Sequence, residues 1–228
     1  CKSVAGAFLV AAISLAPALA QKVTVVTPYL AQPGTQMFVE GFKAEADSMG
    51  WDANIVDTAG DVAAVISRIE DAVTQGVDAI VINVDPEQIA AGLEAAKEAG
   101  IPVIGMDSGA SPLLATNVTS NGYAMAAETS VDVANRIKGQ GNVVMFVFDP
   151  FPPVQIRSVI ADAVFANFPD IKVIDRVTPD VQDGGIADSR AKMEAILAAN
   201  PEPGSIQRRR NPRRRDLCAD RADHQGQC

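Results

Sequence analysis

The chain has 228 residues, a formal net charge of −9 and 48% hydrophobic residues. That is enough apolar material for the core of one large domain or two modest lobes, and too much for wholesale disorder. Aromatic residues are only 5%, so the core must be built from Ala, Val, Ile and Leu, and one histidine with three cysteines excludes most metal and redox chemistry.

The chain opens with Lys2 and an apolar run over residues 4–20 that ends in Ala18-Leu19-Ala20. A positive end, an apolar middle and a small-x-small site are the layout of a secretory signal peptide, with cleavage expected after Ala20. The run is short for a membrane-spanning helix. Residues 1–20 are therefore read as an export signal. Cys1 precedes the apolar run and is no lipoprotein cysteine.

From Gln21 onward, β-branched runs alternate with stretches of helical period. The expected strands are Val23-Thr24-Val25-Val26, Asn54-Ile55-Val56, Ala79-Ile80-Val81-Ile82, Val103-Ile104, Val143-Val144-Met145-Phe146-Val147 and Ile171-Lys172-Val173-Ile174. Continuous apolar runs predict strands buried on both faces, as in parallel sheets. Met37, Phe38 and Phe42 open a helix that ends at Gly50. After Asp61, Val62, Val65, Ile66, Ile69 and Val73 share one helical face, closed by Gly76. Asp85 is placed to N-cap a further helix, with Pro86 at its first position and Gln88 at the capping-box position. Ile89, Leu93 and Ala96 form its stripe, and Gly100 and Pro102 end it. Residues 115–119 read as a fifth strand leaving a first lobe, and the helix of residues 123–138 opens a second. Units of this length predict an α/β, doubly wound parallel sheet in each lobe.

The body lacks the usual chemistry. It has no G-x-G-x-x-G, P-loop, H-E-x-x-H, C-x-x-C or G-x-S-x-G motif, and no Cys or His between residues 2 and 217. The common general bases and nucleophiles are therefore missing. No cofactor is expected, and binding is favoured over catalysis. Residues 1–206 carry 12 basic and 25 acidic side chains, a balance of −13. Such a surface argues against nucleic-acid partners.

The order of motifs adds a resemblance. Phe42-Lys43-Ala44-Glu45-Ala46-Asp47-Ser48-Met49-Gly50-Trp51, Gln75-Gly76-Val77-Asp78-Ala79-Ile80-Val81-Ile82-Asn83 and Ala99-Gly100-Ile101-Pro102-Val103-Ile104-Gly105-Met106-Asp107 resemble the first helix and the third and fourth strand entries of periplasmic sugar-binding proteins of the ribose/galactose type. The resemblance covers about residues 22–206. It implies a two-lobed, type I periplasmic binding protein, with lobes over residues 21–119 and 120–206. It also implies a monomer that takes a sugar or similar polar ligand and delivers it to the permease subunits of an ABC importer. A sensory module that reports to a chemoreceptor or kinase is the alternative, and an α/β enzyme using carboxylates is a more distant one.

By the same resemblance, Asp107 after the fourth strand is expected to bond sugar hydroxyls, and Arg157, at a second-lobe helix, to clamp the ligand. Ser108 stands where the family often has Arg. Asp149 and Phe151 lie in a loop expected to face the ligand, and Asn121 serves either as a ligand group or as a helix cap. The family's aromatic pair after the first strand is replaced by Ala31-Gln32-Pro33-Gly34-Thr35, which leaves Gln32 as a polar contact and Tyr29 as the stacking face. Charged groups make strong hydrogen bonds to hydroxyls, and an aromatic face suits the C–H side of a polyol. Trp51 reads as packing.

Apolar periodicity stops at Ile206. Residues 207–228 carry seven Arg, three Asp, His224, Cys218 and Cys228. At this point the family enters another strand. The segment is read as an aberrant, out-of-frame tail, which leaves the second lobe incomplete and predicts weak or absent ligand binding.

Overall fold

The computed structural model describes residues 20–181 and 184–201. The expected signal segment up to residue 19 and the Arg-rich segment 207–228 lie outside the described residues. The chain divides into two compact units. The first runs to Met106 and includes Ala110–Val118; the second takes Asp107–Gly109 and everything from Thr119 onward.

The first unit is built on a five-stranded sheet in the order β2-β1-β3-β4-β5. Its strands are β1 (Lys22–Thr27), β2 (Asp52–Asp57), β3 (Ala79–Ile82), β4 (Val103–Met106) and β5 (Thr116–Val118). Every pairing is parallel. Alternate residues of each strand lie on opposite faces. Val26, Ile80, Ile82 and Val103 meet Val65, Ile69 and Ala72 of α2 (Val62–Gln75) and Leu93 and Ala96 of α3 (Ala90–Glu98). Val23, Val25, Val81 and Met106 pack with Val39 and Phe42 of α1 (Pro33–Ser48), and with Trp51, which serves as packing. Helices on both faces make this a doubly wound layer.

Local signals set the helix ends. Asp61 Oδ1 accepts from the Ala64 amide at 3.0 Å, and Gly76 closes α2 in the left-handed region at φ 64°. Asp85 does cap the following segment, through Glu87 N at 3.1 Å. That segment begins as a 3₁₀ turn over Pro86–Ile89 before α3, and Gln88 donates its side-chain amide to the Asp85 carboxylate at 3.3 Å. α1 starts at Pro33, four residues before the expected Met37, because proline suits a first helical position. Between the neighbouring strands β4 and β5, Gly105 is paired with Asn117. A side chain at Gly105 would place its Cβ 2.5 Å from Asn117 Oδ1, so the asparagine occupies the space above the glycine.

The second unit contains α4 (Gly122–Arg136), β6 (Gln140–Phe146), α5 (Pro152–Phe165), β7 (Asp170–Val177) and α6 (Ile186–Ala199). β6 and β7 pair in parallel as a two-stranded sheet. Ala134 of α4, Phe165 of α5 and Ile171 of β7 form its buried cluster, with Val143 and Met145 of β6 and Val173 of β7 against it. α4 and α5 lie close: a Cβ at Gly122 would come within 3.0 Å of Ile156 Cγ2. Asp162 and Arg176 pair between α5 and β7.

Here the structure corrects an expectation. The runs at 143–147 and 171–174 are not buried on both faces. Val143 to Phe146 are only half-buried, and Ile174 is 41% exposed. The physical reason is coverage: the cluster of α4 and α5 residues packs on Val143, Met145, Ile171 and Val173, the alternate positions, and α6 buries no residue. The bulge between Val143 and Val144 further breaks the alternation. Among the described residues, no helix is long and apolar enough to cross a membrane.

Candidate functional site

Open α/β sheets bind ligands beyond the carboxyl ends of their strands, and most of the polar residues of interest follow such ends. In the first unit, Thr27 closes β1 and Asn83 follows β3. Asn83 Oδ1 accepts from Thr27 Oγ1 at 3.3 Å and from Thr35 Oγ1 at 3.1 Å, while its Nδ2 donates to the Met106 carbonyl at 2.6 Å. Thr27 Oγ1 also accepts from the Tyr29 amide at 3.0 Å. All three side chains are buried, so this network satisfies polar groups that water does not reach. It ties β1, β3, β4 and the first turn of α1 to one amide.

That network fixes the loop carrying Tyr29 and Gln32. Gln32 is the N-cap residue of α1, half-buried, and its amide donates to the Tyr29 carbonyl at 2.9 Å. Tyr29 is buried, only 6% exposed. Burial pushes its phenol above the ordinary tyrosine value, and the negative charge of Asp85 pushes the same way. Its ring is closed off from solvent.

In the second unit, the centre is Asp107. Its backbone lies in the left-handed region at φ 49°, uncommon for a residue other than glycine. Its carboxylate is buried and heavily engaged. Oδ1 accepts from Thr119 Oγ1 at 2.7 Å, from Ser120 N at 3.1 Å and from Ser120 Oγ at 3.1 Å. Oδ2 lies 3.6 Å from Arg157 Nη2, too far for a direct hydrogen bond. Arg157 Nη2 instead donates to Ser120 Oγ at 3.1 Å. Arg157 Nε is buried and has no hydrogen-bond partner among the described residues. A buried donor left unmade costs about 1–3 kcal/mol.

The other expected residues divide. Ser108 is buried next to Asp107. Asn121 caps α4, its Oδ1 accepting from Ala124 N at 3.0 Å, and is exposed. Phe151 is buried at the N-cap position of α5, and Asp149 is exposed in the turn before it. Asp107 and Arg157 are brought together; Tyr29 and Gln32 are brought together in the other unit. The sequence reading missed Thr27, Thr35, Asn83, Thr119 and Ser120. Only position signalled them: each directly ends or follows a strand, or opens a helix. Among the described residues, no group of His, Cys, Asp and Glu is placed to hold a metal ion.

Comparison with known proteins adds an independent line. A family profile described as a periplasmic binding protein domain matches residues 23–207. The chain is 33% identical over 121 residues to a xylitol-binding protein of Mycolicibacterium smegmatis, covering 52% of this chain and 35% of that protein. It is 38% identical over 72 residues to the ribose import binding protein RbsB of Bacillus subtilis, covering 31% of this chain and 24% of that one. The matched part thus spans about a third or less of these curated relatives. An ABC transporter solute binding protein from Agrobacterium vitis, solved with bound allitol, superposes with a TM-score of 0.70 at 25% identity, over 82% of this chain and 65% of its own. A 5-methylthioribose transporter solute binding protein from Thermotoga lettingae gives a TM-score of 0.74 at 23% identity, over 79% and 57% respectively.

Proposed function

Because the chain belongs to the periplasmic binding protein domain family and has its type I fold, we propose that it is an exported, periplasmic solute-binding protein that hands a neutral sugar or polyol to an ABC importer. The observation that carries this reading is the Asp107–Arg157 pair: a buried acid and a guanidinium set side by side, with a buried, unpartnered Nε. A carboxylate accepts from hydroxyls and a guanidinium donates to them, and both bonds are stronger than those between neutral groups. The xylitol-binding and ribose import relatives support a polyol or pentose as the ligand class. The absence of a His or Cys base from residues 2–217 supports binding over turnover.

On the same proposal, residues 207–228 are out-of-frame sequence. The family match stops at residue 207, where the Arg-rich run begins. Resequencing the gene from codon 200 tests this: a shifted frame that resumes strand–helix alternation supports it, and no such frame overturns it.

The solved relatives are longer, and this chain covers 56–66% of those superposed on it. Binding of at least one such ligand is the expected result. NMR titration with xylitol, D-ribose and allitol is sensitive enough to read it. Saturable shifts at Asp107 and Arg157, lost in Arg157→Ala, are expected. No shift with any of the three sugars and polyols overturns the proposal.

A further inference from the structure

β4 and β5 end in register, Met106 beside Val118. The chain enters the second unit one residue later at each, at Asp107 and at Thr119. The acid after the first exit and the hydroxyls after the second then bond to one another. What matters is how Arg157 joins them. An arginine facing a carboxylate ordinarily closes into a bidentate pair, with two parallel N–H···O bonds that consume both groups. Here that closure does not occur. Nη2 stops 3.6 Å from Asp107 Oδ2, and the Ser120 hydroxyl bonds to both partners. It accepts from Arg157 at 3.1 Å and gives its single hydrogen to Asp107 Oδ1 at 3.1 Å.

From this we infer that Ser120 is a positioning residue of the binding site, a spacer that bonds to both charged groups and keeps the ion pair from closing into a direct bidentate one. The inference rests on the proposed ligand role of Asp107 and Arg157. Three features carry it. Ser120 uses its backbone amide as well as its hydroxyl on the same carboxylate oxygen, so it is fixed relative to Asp107 at two points. Thr119 adds a third bond to that oxygen, which leaves Oδ2 as the less engaged one. Arg157 Nε stays buried without a partner, so the guanidinium has been held without being used up. A site for adjacent hydroxyls needs this arrangement: one acceptor oxygen and one donor edge, close together and not spent on each other.

The decisive observable is the Arg157 Nε–H proton, assigned as the signal that disappears in Arg157→Lys. In the unmodified chain it is expected to exchange with water at least tenfold more slowly than the Nε–H of Arg68, whose side chain is half exposed. Ser120→Ala is expected to remove that protection, because the guanidinium either swings free or collapses onto Asp107. Ser120→Thr keeps the hydroxyl and is expected to retain it. For xylitol, affinity is expected to fall about tenfold in Ser120→Ala and to stay within about twofold in Ser120→Thr.

An unmodified chain whose Arg157 proton exchanges as fast as that of Arg68 overturns the inference with no variant needed. So does Ser120→Ala with an unchanged signal, or equal loss in both variants. If none of xylitol, D-ribose and allitol binds while the exchange pattern holds, the sugar reading fails and the spacer role stands.

Discussion

In the first unit, Val25, Val26, Ile80 and Ile82 are all 0% exposed; in the second, the matching run Val143 to Phe146 is half-buried throughout. The side chains are of the same kind. The difference lies in what covers them. β1 and β3 sit inside a five-stranded sheet with α1 on one face and α2 and α3 on the other, whereas among the described residues β6 and β7 pair with each other alone and carry α4 and α5 on one set of alternate positions. An apolar run thus states a capacity for burial, and neighbouring elements decide whether it is used. An open, apolar strand edge is also a template for association with other chains.

Core truncations should break this contrast most sharply. Leu93→Ala, at a fully buried position between α3 and α2, is expected to cost about 3 kcal/mol of first-unit stability, while Val143→Ala, half-buried in β6, is expected to cost about 1 kcal/mol in the second. Urea unfolding followed by hydrogen exchange in each unit measures both. Equal costs would mean that β6 is as well packed as β3. In the unmodified chain, amides of β1 and β3 should be the slowest to exchange and those of β6 the faster.

A polar version of the same test uses Asn83→Leu. It keeps the volume but leaves the Thr27 and Thr35 hydroxyls and the Met106 carbonyl buried without their partner. A loss of about 2 kcal/mol is expected in the first unit, with the second unaffected. Smaller still is Asp61→Ala, which removes the α2 cap and should cost about 1 kcal/mol. The smallest effect is confined to alkaline pH. The Tyr29 phenol is held above its ordinary value of about 10. Below that value both folded and unfolded chains keep the proton, and the stability is intact. Above it the unfolded chain ionises first, so stability falls as pH rises toward the folded value. Tyr29→Phe should flatten that decline in melts taken between pH 9 and about 11.

Much of the first unit was legible because its determinants are local. Asp61 and Gly76 bracket α2 within fifteen residues, and the stripe between them already names the core face. The doubly wound architecture was legible through the alternation of strands with helices and through family resemblance. The rest depends on contacts far apart in sequence. Nothing near Ser120 announces Arg157, 37 residues on, and nothing near Thr27 announces Asn83, 56 residues on. Tyr29 illustrates a further limit: its type suits a stacking face, and only the packed fold shows it buried.

The asparagine lying over Gly105 carries a genetic consequence. Because Asn117 Oδ1 stands 2.5 Å from where a Cβ at 105 would go, the two positions share one volume. Alanine at 105 alone displaces the end of the Asn117 side chain, and glycine at 117 alone opens a gap beside β4. Only the exchange made at both places together conserves the filled volume. Across descendants of this gene, a larger side chain at 105 is therefore expected to favour a smaller one at 117.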